Sequence, residues 1–155
     1  MIDTQDEFNQ ALCMFLSRAT TPYHAVALTV SRLQEAGFIQ LAQDKPWALE
    51  PGGGYFLVHS HGSIVAFRYG REAGPERGVR MVGAHTDSPC LMVKPSPEIE
   101  SEGLFQLGVQ VYGGALLNPW FDRDLSLAGR VSFQCDDGQL RTALLDYREP
   151  LAIIP

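Results

Sequence analysis

Four histidines, at positions 24, 59, 61 and 85, are the side chains of this sequence best suited to hold a metal or move a proton near neutral pH. Their settings differ. His85 ends the apolar run VRMVGA, has Asp87 two residues on and enters a Ser88-Pro89 turn, at the carboxyl end of an expected strand, where open α/β sheets present ligand-binding groups. Zinc takes a neutral imidazole, and a carboxylate on the other ring nitrogen fixes the tautomer and raises the basicity of the ligand. A His-x-Asp loop supplies both parts if it folds Asp87 back towards the ring. The same two residues could instead cap a strand and a turn, with Asp87 bonding its own backbone amides.

The other candidates point more weakly to chemistry. His59 and His61 have the i, i+2 spacing that puts two side chains on one strand face, but no third ligand lies near them in sequence. His24, beside Tyr23 at the start of an expected helix, reads as a hydrogen-bonded packing residue. Asp122 and Asp124 flank Arg123, a pattern that can bind a divalent cation but more often makes ion pairs at a structured turn. Trp120 and Phe121 beside them read as core or interface aromatics. Ser88 lacks a GxSxG elbow and an evident oxyanion hole, which makes a serine hydrolase a poor reading.

These residues need elements to position them. From Asp6 to Ala19 the residues Phe8, Leu12, Phe15, Leu16 and Ala19 recur at helical spacing and predict a helix with one buried stripe. Thr21-Pro22 is an N-cap and first-turn signature for a second helix, with Val26, Ala27, Val30 and Leu33 on its apolar face and Gly37 as its stop. Gly52, Gly53 and Gly54 open a loop, and YFLVHS and SIVAFRYG around His61-Gly62 predict a β-hairpin. REAGPERGVR, 71–80, reads as a polar turn, and Val79 to Ala84 as a short buried strand that delivers His85. Pro95, Ser96 and Pro97 punctuate the chain, after which it is Gly-rich and β-like, with a second hairpin of VSFQC and LRTALL around Asp136, Asp137 and Gly138. The expected organisation is a mixed α/β part over residues 1–94 and the start of a different, β-rich part over 95–155, with an apolar finish at Leu151 to Pro155 that reads as a truncated end.

Composition narrows the function classes. The 155 residues are 45% hydrophobic and 19% charged, as in ordinary globular proteins, and one domain of this length can bury roughly 70% of its unfolded surface without a metal or disulfide. Twelve Lys and Arg against eighteen Asp and Glu give 12 − 18 = −6, which argues against nucleic acid or an anionic membrane as partner. The longest stretch free of formal charge, Gly103 to Phe121, contains four Gly, two Gln, Asn118 and Pro119 and is not a membrane span. The acidic N-terminus lacks the features of a secretory signal, and Cys13, Cys90 and Cys135 form no CxxC, which fits free thiols in a reducing cytoplasm.

Three motifs then carry a resemblance. VGAHTDSPCLMVKP at 82–95 and YGGALLNPWFDRDLSLAGRV at 112–131 resemble the two signatures of the aspartyl aminopeptidase family of cocatalytic zinc aminopeptidases, and TPYHAV at 21–26 also fits that family. The resemblance is to a bacterial member and to about the front third of the family. It implies that His85 is a zinc ligand and that Asp87 belongs to the catalytic machinery as the carboxylate orienting it. It also implies that the bridging aspartate, the general-base glutamate and the remaining ligands come from later sequence. The fold implied is the first part of a mixed-sheet zinc-peptidase domain, 1–94, followed by the start of a β-rich inserted domain, 95–155, that mediates dimer contacts in a larger homo-oligomer. The activity implied is hydrolysis assisted by two zinc ions, removing N-terminal residues, with acidic ones as a family preference, from peptide substrates in the cytoplasm. On this ligand accounting the 155 residues alone are expected to be inactive. The competing reading is a noncatalytic oligomerisation or interaction fragment whose β-rich tail does the work.

Overall fold

A computed structural model describes residues 4–72 and 78–154, so the middle of the expected 71–80 turn lies outside the described residues. The described chain is mixed α/β, as expected, and divides into two compact units: Met1–Thr86 with Ala128–Asp146, and Asp87–Leu127 with Tyr147–Pro155.

In the first unit, helix α1 spans Thr4–Arg18 and α2 spans Pro22–Glu35. The cap of α2 is built as the sequence predicts: Thr21 is extended (φ −141°) and its hydroxyl accepts from the His24 backbone N–H at 3.4 Å, so one amide left without an intrahelical partner is satisfied. At the other end Gly37 adopts φ +78°, and the amides of Gly37 and Phe38 bond back to the carbonyls of Gln34 and Leu33, a left-handed stop that favours glycine. Helix α1 departs from expectation. None of its residues is buried: Phe8 and Leu16 are 64% and 63% exposed, while Phe15 and Ala19 are half-buried, so the apolar stripe forms but is only partly covered. Arg32 of α2 reaches α1: its guanidinium lies 4.9 Å from the Phe15 ring centre and donates to the Ala11 carbonyl at 3.0 Å.

Three strands follow: β1 (Ile39–Gln40), β2 (Gly54–His59) and β3 (Ser63–Arg68), in the order β1-β2-β3. β1 runs parallel to β2, pairing Ile39 with Tyr55, while β2 and β3 form the predicted antiparallel hairpin from Gly54↔Arg68 to His59↔Ser63. The sheet is therefore mixed. Gly54 is a close-approach glycine: a Cβ there would lie 2.9 Å from the Phe38 ring. The core is small. Its buried apolar side chains are Ala25 and Val26 of α2 and Tyr55 and Phe56 of β2, with Phe56 fully buried, so the burial that chain length alone allows is not reached among the described residues. Tyr55 also stacks on Phe67 at 5.7 Å and accepts from the Glu50 amide at 2.7 Å. The second hairpin, β4 (Cys90–Ser101) with β5 (Leu104–Tyr112), belongs to the other unit, and the third, β6 (Ala128–Gln134) with β7 (Leu140–Asp146), is the one expected around Asp136–Gly138. It clusters with the N-terminal elements, and Arg130 of β6 lies over the Tyr23 ring of α2 at 4.7 Å.

The expected buried strand over Val79–Ala84 is not formed. Residues 79–84 pair with no strand, and Val79, Met81 and Val82 are 87%, 87% and 99% exposed. An apolar run makes a strand only when a neighbour offers its backbone groups, and none of the described residues does.

The second unit is dominated by a ribbon of β4 (Cys90–Ser101) and β5 (Leu104–Tyr112). Here Pro95, Ser96 and Pro97 do not punctuate the chain; β4 continues through them. Val93 pairs with Val109 and Glu98 with Leu107, so residues 94–97 bulge opposite Gly108. Prolines have no N–H to give to a ladder and are tolerated at such a bulge. Lys94, near which the change of organisation was expected, lies inside this strand. Beyond β5 a short 3₁₀ turn, Asn118–Trp120, leads to bridges of Phe121 with Ile154 and Leu125 with Ala152.

Candidate metal centre

The loop after residue 84 is fixed separately in the two units, whose boundary falls between Thr86 and Asp87. In the first unit, the Thr86 hydroxyl donates to the Gly62 carbonyl at 2.7 Å, tying the residue after His85 to the tip of the β2-β3 hairpin. His85 itself is exposed. In the second unit, the Tyr112 hydroxyl donates to Asp87 Oδ2 at 2.8 Å. Tyr112 reaches Asp87 because it is the last residue of β5 and pairs with Cys90, the first of β4, three residues beyond Asp87. A carboxylate offers about four acceptor positions, so this bond fixes Asp87 without exhausting it.

The electrostatics follow from that contact. The Tyr112 hydroxyl is pushed above its ordinary pKa, first by its hydrogen bond to Asp87 and then by that residue's charge, both of which favour the protonated phenol. The Cys90 thiol is raised as well, chiefly by burial and secondarily by the Asp87 charge. Neither group is a ready thiolate or phenolate. Cys13, Cys90 and Cys135 are all free thiols.

Against a zinc donor set, the described residues fit one member of a site rather than a whole one. His85 is an exposed imidazole of the right chemistry, but no group of three or more His, Cys, Asp or Glu gathers among the described residues. The other candidates fall elsewhere. His59 bonds Gln43 Oε1 through Nδ1 at 3.3 Å, while His61 lies in the turn with φ +62°, outside β2, so the two do not share a strand face as their spacing predicts. His24 Nδ1 is 2.7 Å from the Thr21 hydroxyl, the hydrogen-bonded role expected of it. Arg123 donates to the Pro119 carbonyl at 3.3 Å instead of pairing with Asp122 or Asp124, and the Asp122 amide bonds Ile154 O at 2.9 Å. Trp120 is half-buried and Phe121 is 43% exposed, so neither is a core aromatic of this unit.

Two residues escaped the sequence reading. Thr86 stands inside the HTD segment, and its anchor, 24 positions away, leaves no local signal. Tyr112 opens the second of the quoted motifs, yet its meeting with Asp87 depends on the β4-β5 register, which is offset at the bulge, and no local pattern announces that.

Comparison with known proteins places these features in a family. The family model Peptidase_M18, described as Aminopeptidase I zinc metalloprotease (M18), matches residues 15–155. The chain is 55% identical over 149 residues to a protein of Pseudomonas syringae pv. syringae (strain B728a) named "Probable M18 family aminopeptidase 2", covering 96% of this chain and 34% of that one. Among solved structures, mApe1 of Chaetomium thermophilum superposes with a TM-score of 0.90 at 35% identity, over 96% of this chain and 34% of that one. The S. cerevisiae mApe1 dodecamer superposes with a TM-score of 0.86 at 28% identity, over 93% of this chain and 34% of that one. The chain thus spans about a third of the length of the curated relatives it matches.

Proposed function

The chain belongs to the M18 family of aminopeptidases, and on that premise we propose that it forms part of a zinc-dependent enzyme that removes residues one at a time from peptide N-termini. The observation that carries the reading is the family match, which runs through the HTD loop and both flanking elements. Zinc, when bound, supplies Lewis acidity that polarises a carbonyl and activates water. The roles of this chain's own residues are narrower. His85 donates one imidazole nitrogen to the metal. Asp87, held by Tyr112, is the positioning residue that fixes the ring's tautomer, and Thr86 fixes the backbone between them.

The finer features extend the same proposal. The complete protein holds two zinc ions, works in the cytoplasm on peptides with acidic N-terminal residues, and is a homo-oligomer; support for the last is the dodecamer of the S. cerevisiae relative. Residues 1–94 contribute to the catalytic domain, and the dimerisation domain begins within 95–155, a span whose β6-β7 hairpin clusters with the N-terminal unit. The 155 residues alone are inactive, since a stable zinc site needs about four ligands.

The test uses a full-length chimera in which these 155 residues replace the matched span of the Pseudomonas syringae relative. His85→Ala is expected to lower both bound zinc and hydrolysis of aminoacyl anilides by about a hundredfold or more, and Asp87→Asn by about ten- to a hundredfold. Unchanged zinc content in His85→Ala would overturn the assignment. A second reading, a noncatalytic self-association module, is favoured by the apolar ribbon, where Leu104 and Phe105 are 62% and 66% exposed. It requires His85→Ala to leave the function intact while disruption around Trp120 abolishes self-association.

A further inference from the structure

Helix α2 and the two hairpins of the first unit line a cavity of about 490 Å³, within the size range of small-molecule sites. Helix and strand periodicity explain its lining. Tyr23, Ala27 and Val30 recur at i, i+4 and i+7 and so share one face of α2, while Arg130 pairs with Leu144 across β6-β7 and stands on the same face of that hairpin. Val26, Val30 and Val58 make the walls largely apolar.

The charged groups of the cavity are few and of one kind. Arg130 and His61 line it, and no Asp or Glu does so among the described residues, although the chain as a whole has a net charge of −6. The Arg130 guanidinium lies over the Tyr23 ring at 4.7 Å, and among the described residues no carboxylate pairs with it. A guanidinium placed over an aromatic ring keeps its N–H fork for acceptors in its own plane. The rim opposite is held in an uncommon backbone conformation. The turn His59–Gly62, closed by the Gly62 N–H to the His59 carbonyl at 3.2 Å, has φ +49° at Ser60 and +62° at His61, left-handed positions that Asn and Gly usually fill. Backbone kept in such regions clusters at binding sites, and both residues line the cavity. The Thr86 hydroxyl, bonded to the Gly62 carbonyl, fixes this turn from a second side.

We propose that this cavity is a binding site for a small organic carboxylate with a compact apolar body, the carboxylate paired with Arg130 and bonded by a ring N–H of His61, the body lying against Val26, Val30 and Val58. Charge complementarity selects the occupant. The guanidinium fork matches a carboxylate bidentately, and the apolar walls favour an anion that carries hydrocarbon over a fully hydrated one such as inorganic phosphate. The site stands apart from the zinc reading, which takes nothing from Arg130, His61 or α2.

Calorimetric titration with 3-phenylpropionate tests this in the 155-residue protein and in the full-length chimera described above, both free of metal, with the neutral 3-phenylpropanol as control. Binding at one site per chain with a Kd of about 1 mM or tighter is expected for the acid in both proteins, and binding weaker by about tenfold or more for the alcohol. This comparison is made on the unsubstituted chain and requires no variant to fold. Arg130→Met is expected to weaken the acid by about tenfold or more and leave the alcohol unchanged, Arg130→Lys to fall between because an ammonium lacks the fork, and Ala27→Trp to abolish both by filling the cavity. Four results would overturn the proposal: no binding of the acid, equal binding of acid and alcohol, an affinity indifferent to Arg130→Met, or binding by the 155-residue protein that the chimera lacks. Because the titrations contain no metal, failure of the zinc assignment leaves them unaffected.

Discussion

Gly54–His59 and Val79–Ala84 lie in the same unit and have similar composition, yet they end in opposite states. β2 has β1 along one edge, β3 along the other and α2 nearby, and its Phe56 is fully buried. Among the described residues nothing pairs with the later run, and Val82 is 99% exposed. Apolar sequence therefore specifies that a strand must be covered, not where the cover comes from. For β2 it comes from the neighbouring fifty residues or so; for 79–84 no described residue provides it.

Substitutions can break or sharpen this contrast. The largest expected effect is at the buried site: Phe56→Ala should cost about 3–5 kcal/mol in chemical denaturation, while Val82→Ala in the same 155-residue protein should stay within about 0.5 kcal/mol. Equal losses at the two sites would erase the distinction. Next, Gly54→Ala puts a methyl 2.9 Å from the Phe38 ring and should cost about 1–3 kcal/mol through overpacking; a neutral result would mean that the packing around β2 is looser than its burial implies. Thr21→Ala removes the cap of α2, the helix that packs beside β1 and β3, and should cost about 1 kcal/mol with Thr21→Ser restoring it. The smallest effect is one of titration. Asp87→Asn should move the Tyr112 ultraviolet titration to lower pH, since Asp87 is the first cause of its elevation. The sign follows from linkage: a pKa raised on folding contributes stability that is present below the ordinary tyrosine value and is lost as pH rises through the folded value. Asp87→Asn should accordingly flatten the alkaline limb of stability that Tyr112, and with the same sign Cys90, impose.

What was legible in the sequence was local. Thr21-Pro22 and Gly37 mark the ends of α2 because a capping hydroxyl and a left-handed stop act within a few residues. The β2-β3 and β6-β7 hairpins were readable from their turn residues, and the mixed α/β class followed. What was illegible depends on distant partners. Pro95 and Pro97 look like a break until Gly108 is known to lie opposite. The α1 stripe and the 79–84 run look buried because periodicity reports need rather than supply. At the candidate site, the HTD segment could be picked out from residue type and spacing, whereas its supports, Gly62 for Thr86 and Tyr112 for Asp87, are contacts across 24 and 25 positions.

The bulge in β4 has a further consequence for how the ribbon behaves in solution. Among the described residues its outer edge is an unpaired row of amides and carbonyls, the kind of template onto which stray extended chains stack into fibrils. Pro95 and Pro97 carry no N–H to offer in the middle of this strand, and the bulge between Val93 and Glu98 throws its two halves out of line. No incoming strand can zip along the full length of Cys90–Ser101; it finds two short stretches instead. The prolines that look like punctuation thus act as a guard against runaway growth from an apolar, two-stranded element.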